Sequence, residues 1–209
     1  LGNPLHKMTQ PFDPASIAYY NENSDVFIAN TAGVNMGKLY EPFLEHIPAG
    51  GRILDLGCGS GRDTKFFSDQ SYDVVAIDAS AKMVEATQHI ADAVVQQLRF
   101  DEMNFAGEFD GIWACASLLH VPETELNNVL AKCFHALRAS GAMFASFKYG
   151  TTQRSKGERL FTDLNEEKLI AIMDTLEYEL SVNQWITQDF RPNRPGERWL
   201  NAIIKIELS

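Results

Sequence analysis

"ILDLGCGSGRD", residues 53–63, sets an apolar run that closes on an aspartate against three glycines at alternate positions, Gly57, Gly59 and Gly61. Glycine is costly to order and has no side chain to pack, so three this close imply a tightly bent backbone or one held against something else. The flanking sequence supplies the context. "GRILDLG" (51–57) is a short apolar run bounded by glycine, the pattern of a fully buried strand. Residues 62–70 follow as a helix, with Asp63 and Thr64 in its first turn, and "DVVAID" (73–78) is a second buried strand. Ser80 then suits an N-cap for the helical "AKMVEATQHIAD" (81–92).

Further on, "AVVQQLRF" (93–100) is a weaker third strand and "FDGIWACA" (109–116) a fourth. Residues 122–138 form an amphipathic helix with Leu126, Val129, Leu130, Phe134 and Leu137 on one stripe, and "GAMFASFKY" (141–149) is a fifth strand. Strands alternating with helices predict an α/β fold with a doubly wound, mostly parallel sheet. Residues 14–46 read as helical, with breaks near Gly33 and Gly37. After the fifth strand come a polar loop (150–162), a helix (165–176) and two strand-like runs, "LEYELSVNQWITQ" (176–188) and "RWLNAIIKIEL" (198–208). "DFRPNRPGE" joins these last two, which are expected to pair antiparallel at one edge of the sheet.

The 209 residues, 45% of them hydrophobic, suit one domain with a substantial core. No apolar run approaches the roughly 18 residues that span a bilayer. A net charge of −10 repels phosphate backbones and disfavours nucleic acid as a partner. Cys58, Cys115 and Cys133 lack metal-ligand spacing and are odd in number, which points to reduced thiols, a cytoplasmic setting and no metal. Leu1–Lys7, ahead of Met8, reads as a cloning remnant, leaving 8–209 as a single domain.

In open α/β sheets ligands sit beyond the carboxyl ends of the strands, where strand order reverses. The dinucleotide fingerprint there is G-x-G-x-x-G, but Gly57-Cys58-Gly59-Ser60-Gly61 brings its third glycine one residue early. Asp55, two positions before the first glycine, would oppose a pyrophosphate and suits a cationic cofactor. This stretch resembles motif I of the class I S-adenosylmethionine-dependent methyltransferases. Asp78, 21 residues after Gly57, matches the family's ribose-binding acid, whose carboxylate accepts from both hydroxyls. "FDGIWACASLLHVP" (109–122) is similar to the family's fourth strand and loop, and "LRASGAMFASF" (137–147) to its approach to strand five, with Ser140 in place of a glycine. Small bacterial members, including the tellurite-resistance type, share the pattern along the whole chain.

The resemblance implies a Rossmann-like, seven-stranded sheet with an antiparallel edge strand and helices on both faces. It also implies S-adenosylmethionine as cofactor and S-adenosylhomocysteine as product. Asp55, Leu56, Gly57, Cys58, Gly59, Gly61 and Arg62 would face the methionine part, with Asp55 near its amino group and Arg62 near its carboxylate. Asp78 and Ala79 would hold the ribose, Met83, Phe100 and Glu102 would border the adenine, and Ala114, Cys115 and Leu119 would line the sulfonium side. Plainer readings stand beside these: a turn without a ligand for the glycines, an N-cap for Asp78, plain core for Met83 and Ala114.

A sulfonium methyl is already activated, so the protein's task is to align an acceptor and exclude water, a base being useful only where the acceptor carries a proton. His120, just past the fourth strand, is the candidate base. Seven basic residues lie in 148–159 and 191–198 against Glu158 and Glu197, a local +5 in a chain whose remainder carries −15. Lys148, Arg154 and Arg191, with Tyr20 and Tyr149, are the candidate acceptor-binding residues, arginine forks suiting a small anion or oxyanion. Residues 14–46 would form a lid, 51–149 the cofactor-binding core and 150–209 the acceptor side. The expected partner is a small-molecule acceptor, the protein acting as a monomer or dimer. RNA or protein methylation, and cofactor binding without catalysis, are the alternatives.

Overall fold

The computed structural model describes residues 13–207; Leu1–Lys7, read above as a remnant, lie outside the described residues. Seven strands form the main sheet: β1 (Arg52–Leu56), β2 (Asp73–Asp78), β3 (Val94–Gln97), β4 (Phe109–Ala114), β5 (Leu137–Lys148), β8 (Leu180–Gln188) and β9 (Arg198–Ile206). Their order is β3-β2-β1-β4-β5-β9-β8. The first five run parallel, while β9 is antiparallel to both β5 and β8, so the reversal falls one strand in from the edge. The chain winds outward from β1 to β3, then returns to place β4 on the other side of β1. Strand order therefore reverses between β1 and β4, and that crevice is where this architecture puts a ligand.

Side-chain alternation on β1 divides the core into two. Leu54 and Leu56 join Val75, Ile77, Ile112 and the apolar stripe of α6 (Glu123–Ala136), where Leu126, Val129, Leu130 and Phe134 are all buried. Ile53 faces the other way, into a cluster of Leu39, Tyr40 and Phe43 from α3 (Gly37–Leu44), Phe67 from α4 (Arg62–Asp69), and Trp113 and Phe144. Trp113 stacks on Phe144 at a centroid distance of 4.1 Å. The same alternation carries Asp55 to the face of Ile53, beneath α4.

The helix expected over 14–46 is three pieces: α1 (Pro14–Glu22), α2 (Ser24–Thr31) and α3, with a further break at Asn23. Helix α5 (Ala81–Gln88) ends sooner than its sequence pattern suggests, and Ser80 caps it by accepting the Met83 N–H. The polar loop expected over 150–162 is a hairpin, β6 (Gln153–Lys156) and β7 (Arg159–Thr162), turning at Gly157. All four residues of β6 are exposed, so it has no apolar alternation to betray it. Helix α7 (Glu166–Met173) then leads to β8. Among the described residues, no helix is long and apolar enough to cross a membrane.

Candidate active site

A bend and a bridge make the floor. Gly57 and Cys58 both donate their N–H to the Ile77 carbonyl, at 2.9 and 3.0 Å, tying the turn after β1 to the end of β2. Gly57, Gly59 and Gly61 have φ of 85°, 51° and 75°, the left-handed region that glycine occupies without steric cost. A Cβ on Gly57 would stand 2.5 Å from Ser117 Cβ. The glycines are thus required by conformation, and at Gly57 also by the close approach of the loop after β4. Gly61 serves as the N-cap of α4, packed on Thr87 and Ile90, and does not line the cavity.

Asp78 reaches back across this bend. One carboxylate oxygen accepts the Gly59 N–H at 3.0 Å and the other the Ser80 N–H at 2.8 Å. Burial raises its pKa and those amides oppose the rise. Above the bend lies a cavity of about 620 Å³ bounded by the glycine loop, the ends of β2, β4 and β5, helix α1, the β6–β7 hairpin and the segment joining β8 to β9. Gly57, Cys58, Gly59, Arg62, Asp78, Ala79, Met83, Phe100, Cys115 and Leu119 line one part of it, as expected.

Four other expected residues stand behind that wall. Leu56 and Ala114 are fully buried core. Glu102 turns away to accept the Arg99 N–H at 3.1 Å, and its neighbour Asp101 lines the cavity instead. Asp55 is 2% exposed and accepts from the Thr64 hydroxyl at 2.6 Å. Burial, reinforced by the nearby Asp63 carboxylate, pushes its pKa up, so it presents no open negative charge to a ligand. The acid that matters electrostatically here is Asp63, read from the sequence only as a helix-start residue. It receives Arg62 through two bonds of 2.6 and 2.7 Å, the Tyr40 hydroxyl at 2.5 Å and the Trp113 indole N–H at 2.9 Å. Burial alone would raise its pKa, but these donors hold it below the ordinary carboxylate value.

Helix α1 closes the cavity from above and touches both halves. On the side of the glycine bend the Ser80 hydroxyl donates to Asn21 Oδ1 at 2.8 Å. On the hairpin side the Leu160 N–H donates to the Ser16 hydroxyl at 3.1 Å. Between them Tyr20 and His120 meet at 2.8 Å. His120 Nδ1 lies 2.7 Å from the Leu160 carbonyl, which can only accept, so Nδ1 carries the proton and Nε2 accepts the Tyr20 O–H. Burial pulls the His120 pKa down to about 4 and raises that of Tyr20, so both are neutral at pH 7.

Lys148, Tyr149, Arg154 and Arg191 all line the same cavity, but the three cations are already paired. Arg154 holds Asp163 at 2.6 and 3.2 Å, Arg191 holds Asp189 at 2.8 and 2.5 Å, and Lys148 bonds Glu197 with Asp189 at 3.5 Å. The local charge excess expected from sequence is largely cancelled, because Asp163 and Asp189 lie just outside the two basic windows. Widening those windows by a few residues would have found both. Tyr149 lies under Arg198, whose guanidinium is 4.2 Å from the ring centroid.

Comparison with known proteins follows this geometry. Residues 53–141 match the family model described as "Methyltransferase domain". That stretch runs from β1 into the start of β5 and holds the glycine bend and Asp78. The chain is 31% identical over 107 residues to an uncharacterized methyltransferase of Staphylococcus carnosus, covering 48% of this chain and 52% of the relative. It is 29% identical over 106 residues to a ubiquinone biosynthesis O-methyltransferase of Xanthomonas axonopodis, covering 47% and 44%. The chain spans about half the length of the curated relatives it matches. In overall fold the chain resembles a Burkholderia thailandensis 1,6-didemethyltoxoflavin-N1-methyltransferase solved with bound 1,6-didemethyltoxoflavin and S-adenosylhomocysteine. That match has a TM-score of 0.75 at 21% identity, covering 100% of this chain and 94% of the other.

Proposed function

We propose that this chain transfers a methyl group from S-adenosylmethionine to a small, anionic metabolite or oxyanion. The observation that carries the reading is one cavity with two unlike ends: the glycine bend and Asp78 at one, Tyr20, His120 and the hairpin at the other. The residues fit the cofactor on their own chemistry. The floor admits no Cβ at Gly57, Asp78 has lone pairs left beyond its two amide bonds, and Met83 and Phe100 offer apolar walls. The buried Ser117 hydroxyl beside Gly57 has no hydrogen-bond partner.

When bound, S-adenosylmethionine supplies a methyl already activated by its sulfonium, for in-line displacement that leaves S-adenosylhomocysteine. The protein binds and orients around that event. Asp78 would take both ribose hydroxyls, Gly57–Gly59 would lie along the cofactor as bare backbone, and Arg62 would meet its carboxylate. Helix α1 excludes water by bridging α5 and the hairpin. His120 has too low a proton affinity to hold the acceptor's proton at pH 7, so it acts by position. It accepts the hydrogen bond of the Tyr20 hydroxyl and so turns the phenol's lone pairs toward Arg159. Lys148, Arg154, Arg191 and Tyr149, braced by their carboxylates and by Arg198, shape the acceptor end. The rings of Tyr20, Phe161 and Trp199 there suit an organic acceptor better than a compact metalloid oxyanion of the tellurite type.

Calorimetry with S-adenosylhomocysteine tests the cofactor half: micromolar binding is expected, and no heat would end the reading. Labelled S-adenosylmethionine incubated with fractionated cell metabolites tests transfer. A labelled product of low mass is expected, and label appearing only in RNA or protein would redirect the function.

A further inference from the structure

Resting on that reading of the cavity, we infer that Arg159 is the residue that recognises the acceptor, and that the acceptor is an aromatic acid entering already ionised. Among the described residues, Arg62, Lys148, Arg154, Arg191 and Arg194 each line the cavity with a carboxylate partner within 4.0 Å. Arg159 lines it without one, and its Nε is buried with no hydrogen-bond partner. Lys156 and Arg198 also lack a carboxylate partner there, but both are exposed and keep their water.

The surroundings of Arg159 are rings. Its guanidinium carbon stands 4.3 Å from the Tyr19 centroid, 5.3 Å from Phe161 and 5.9 Å from Tyr20. Aromatic faces offset part of the cost of removing a cation from water but satisfy none of its N–H donors. The Tyr20 oxygen engages one side of the guanidinium, and the unpartnered Nε leaves the fork short of an acceptor; in a ring-lined pocket that free donor matches a carboxylate or an ionised ring oxygen attached to a flat frame. Asp13, the acid at the start of α1 that also lines the cavity, is occupied: it accepts from the Ser16 and Leu160 N–H groups at 3.2 and 3.3 Å. The Tyr20 oxygen, its proton directed to His120, accepts from Arg159 and helps fix the guanidinium in the pocket. Where the ionised oxygen is itself the atom methylated, no proton is released and no base is needed, in keeping with a site whose histidine is committed at both nitrogens.

The test uses benzoate, its neutral isostere benzamide and tellurite, titrated calorimetrically into the full chain with and without S-adenosylhomocysteine. Benzoate should bind at least about tenfold tighter than benzamide, the gain of a charge-assisted fork over a neutral contact. Arg159→Gln should lose about tenfold in benzoate affinity and leave benzamide unchanged, whereas Arg194→Gln, at a paired cation on the same cavity, should shift benzoate by less than about threefold. Arg159→Lys, which keeps the charge without the fork, should fall between and decides the matter if Arg159→Gln does not fold. Equal binding of benzoate and benzamide, equal losses in the Arg194 and Arg159 variants, or undiminished benzoate affinity in Arg159→Lys would overturn the proposal. Tellurite binding tighter than benzoate would overturn its aromatic part. Failure of S-adenosylhomocysteine to bind would end the cofactor reading alone, since the titrations without it still interrogate Arg159.

Discussion

The two ends of the cavity are built by different means. At the cofactor end the shape comes from backbone: three glycines at positive φ, two N–H groups on one carbonyl, a carboxylate gripping two amides. At the acceptor end it comes from side chains paired across the fold, such as Lys148 with Glu197 and Arg154 with Asp163. A backbone-built site tolerates almost no substitution at its bends, because the conformation itself excludes other residues. A site of paired side chains can exchange partners and still stand. Substitutions in the two halves should therefore differ in severity.

The largest effect is expected from Gly57→Ala. The added carbon meets Ser117 Cβ at 2.5 Å and must sit at φ 85°, so overpacking and left-handed strain together should cost about 3 kcal/mol of stability. Thermal unfolding measures that loss, and calorimetry should show S-adenosylhomocysteine binding abolished. A variant as stable and as tight as the parent would refute the close approach of the two loops. Next comes Asp78→Ala, which on the proposed reading removes the acceptor of both ribose hydroxyls and should weaken S-adenosylhomocysteine about 50-fold, from roughly 2.3 kcal/mol of charge-assisted hydrogen bonding. A change under threefold would mean the carboxylate serves only Gly59 and Ser80.

This contrast also governs what could be read in advance. The bend was legible because its cause is local: glycine spacing after a buried strand reports backbone conformation directly. The parallel order of β1 to β5 followed from alternating periods, and the Ser80 cap from one side chain beside an apolar run. Asp55 was legible too, for period-two alternation places it with Ile53 beneath α4, yet its nearness to the glycines suggested a ligand. The acceptor half resisted because its logic is tertiary. Nothing in "QRSK" marks an exposed hairpin strand, and no spacing links Lys148 to Glu197, 49 residues on. Arg159 stood among seven basic residues as one of a set. Only the positions of the carboxylates single it out.

Where the two halves meet, His120 gives a pH signature. A histidine buried neutral, with its pKa lowered to about 4, takes up a proton in the unfolded chain near 6.5 but not in the folded one. Between those values the unfolded state binds more protons, so the stability is fully present above pH 6.5 and is lost as pH falls toward 4. From pH 7 to pH 5 the wild type should lose about 2 kcal/mol more than His120→Gln in urea unfolding. Parallel losses would show that α1 does not bury the imidazole, and the junction of lid and hairpin would have to be redrawn.

The smallest effect tests the acceptor end with the same chemistry that is severe at Gly57. Gly157 turns the β6–β7 hairpin at φ 62°, but a Cβ placed there meets nothing within 4 Å. Gly157→Ala therefore carries the left-handed strain alone, about 1 kcal/mol, with no overpacking to add to it. Thermal unfolding should register that modest loss, and S-adenosylhomocysteine affinity should not move, since the hairpin touches the far end of the cavity. If Gly157→Ala proved as damaging as Gly57→Ala, backbone strain alone would account for both, and the clash with Ser117 would lose its standing as the reason the cofactor end is the rigid one. If instead the gap of about 2 kcal/mol holds, it isolates the packing contribution at Gly57, because the two substitutions share everything except what the new methyl group meets.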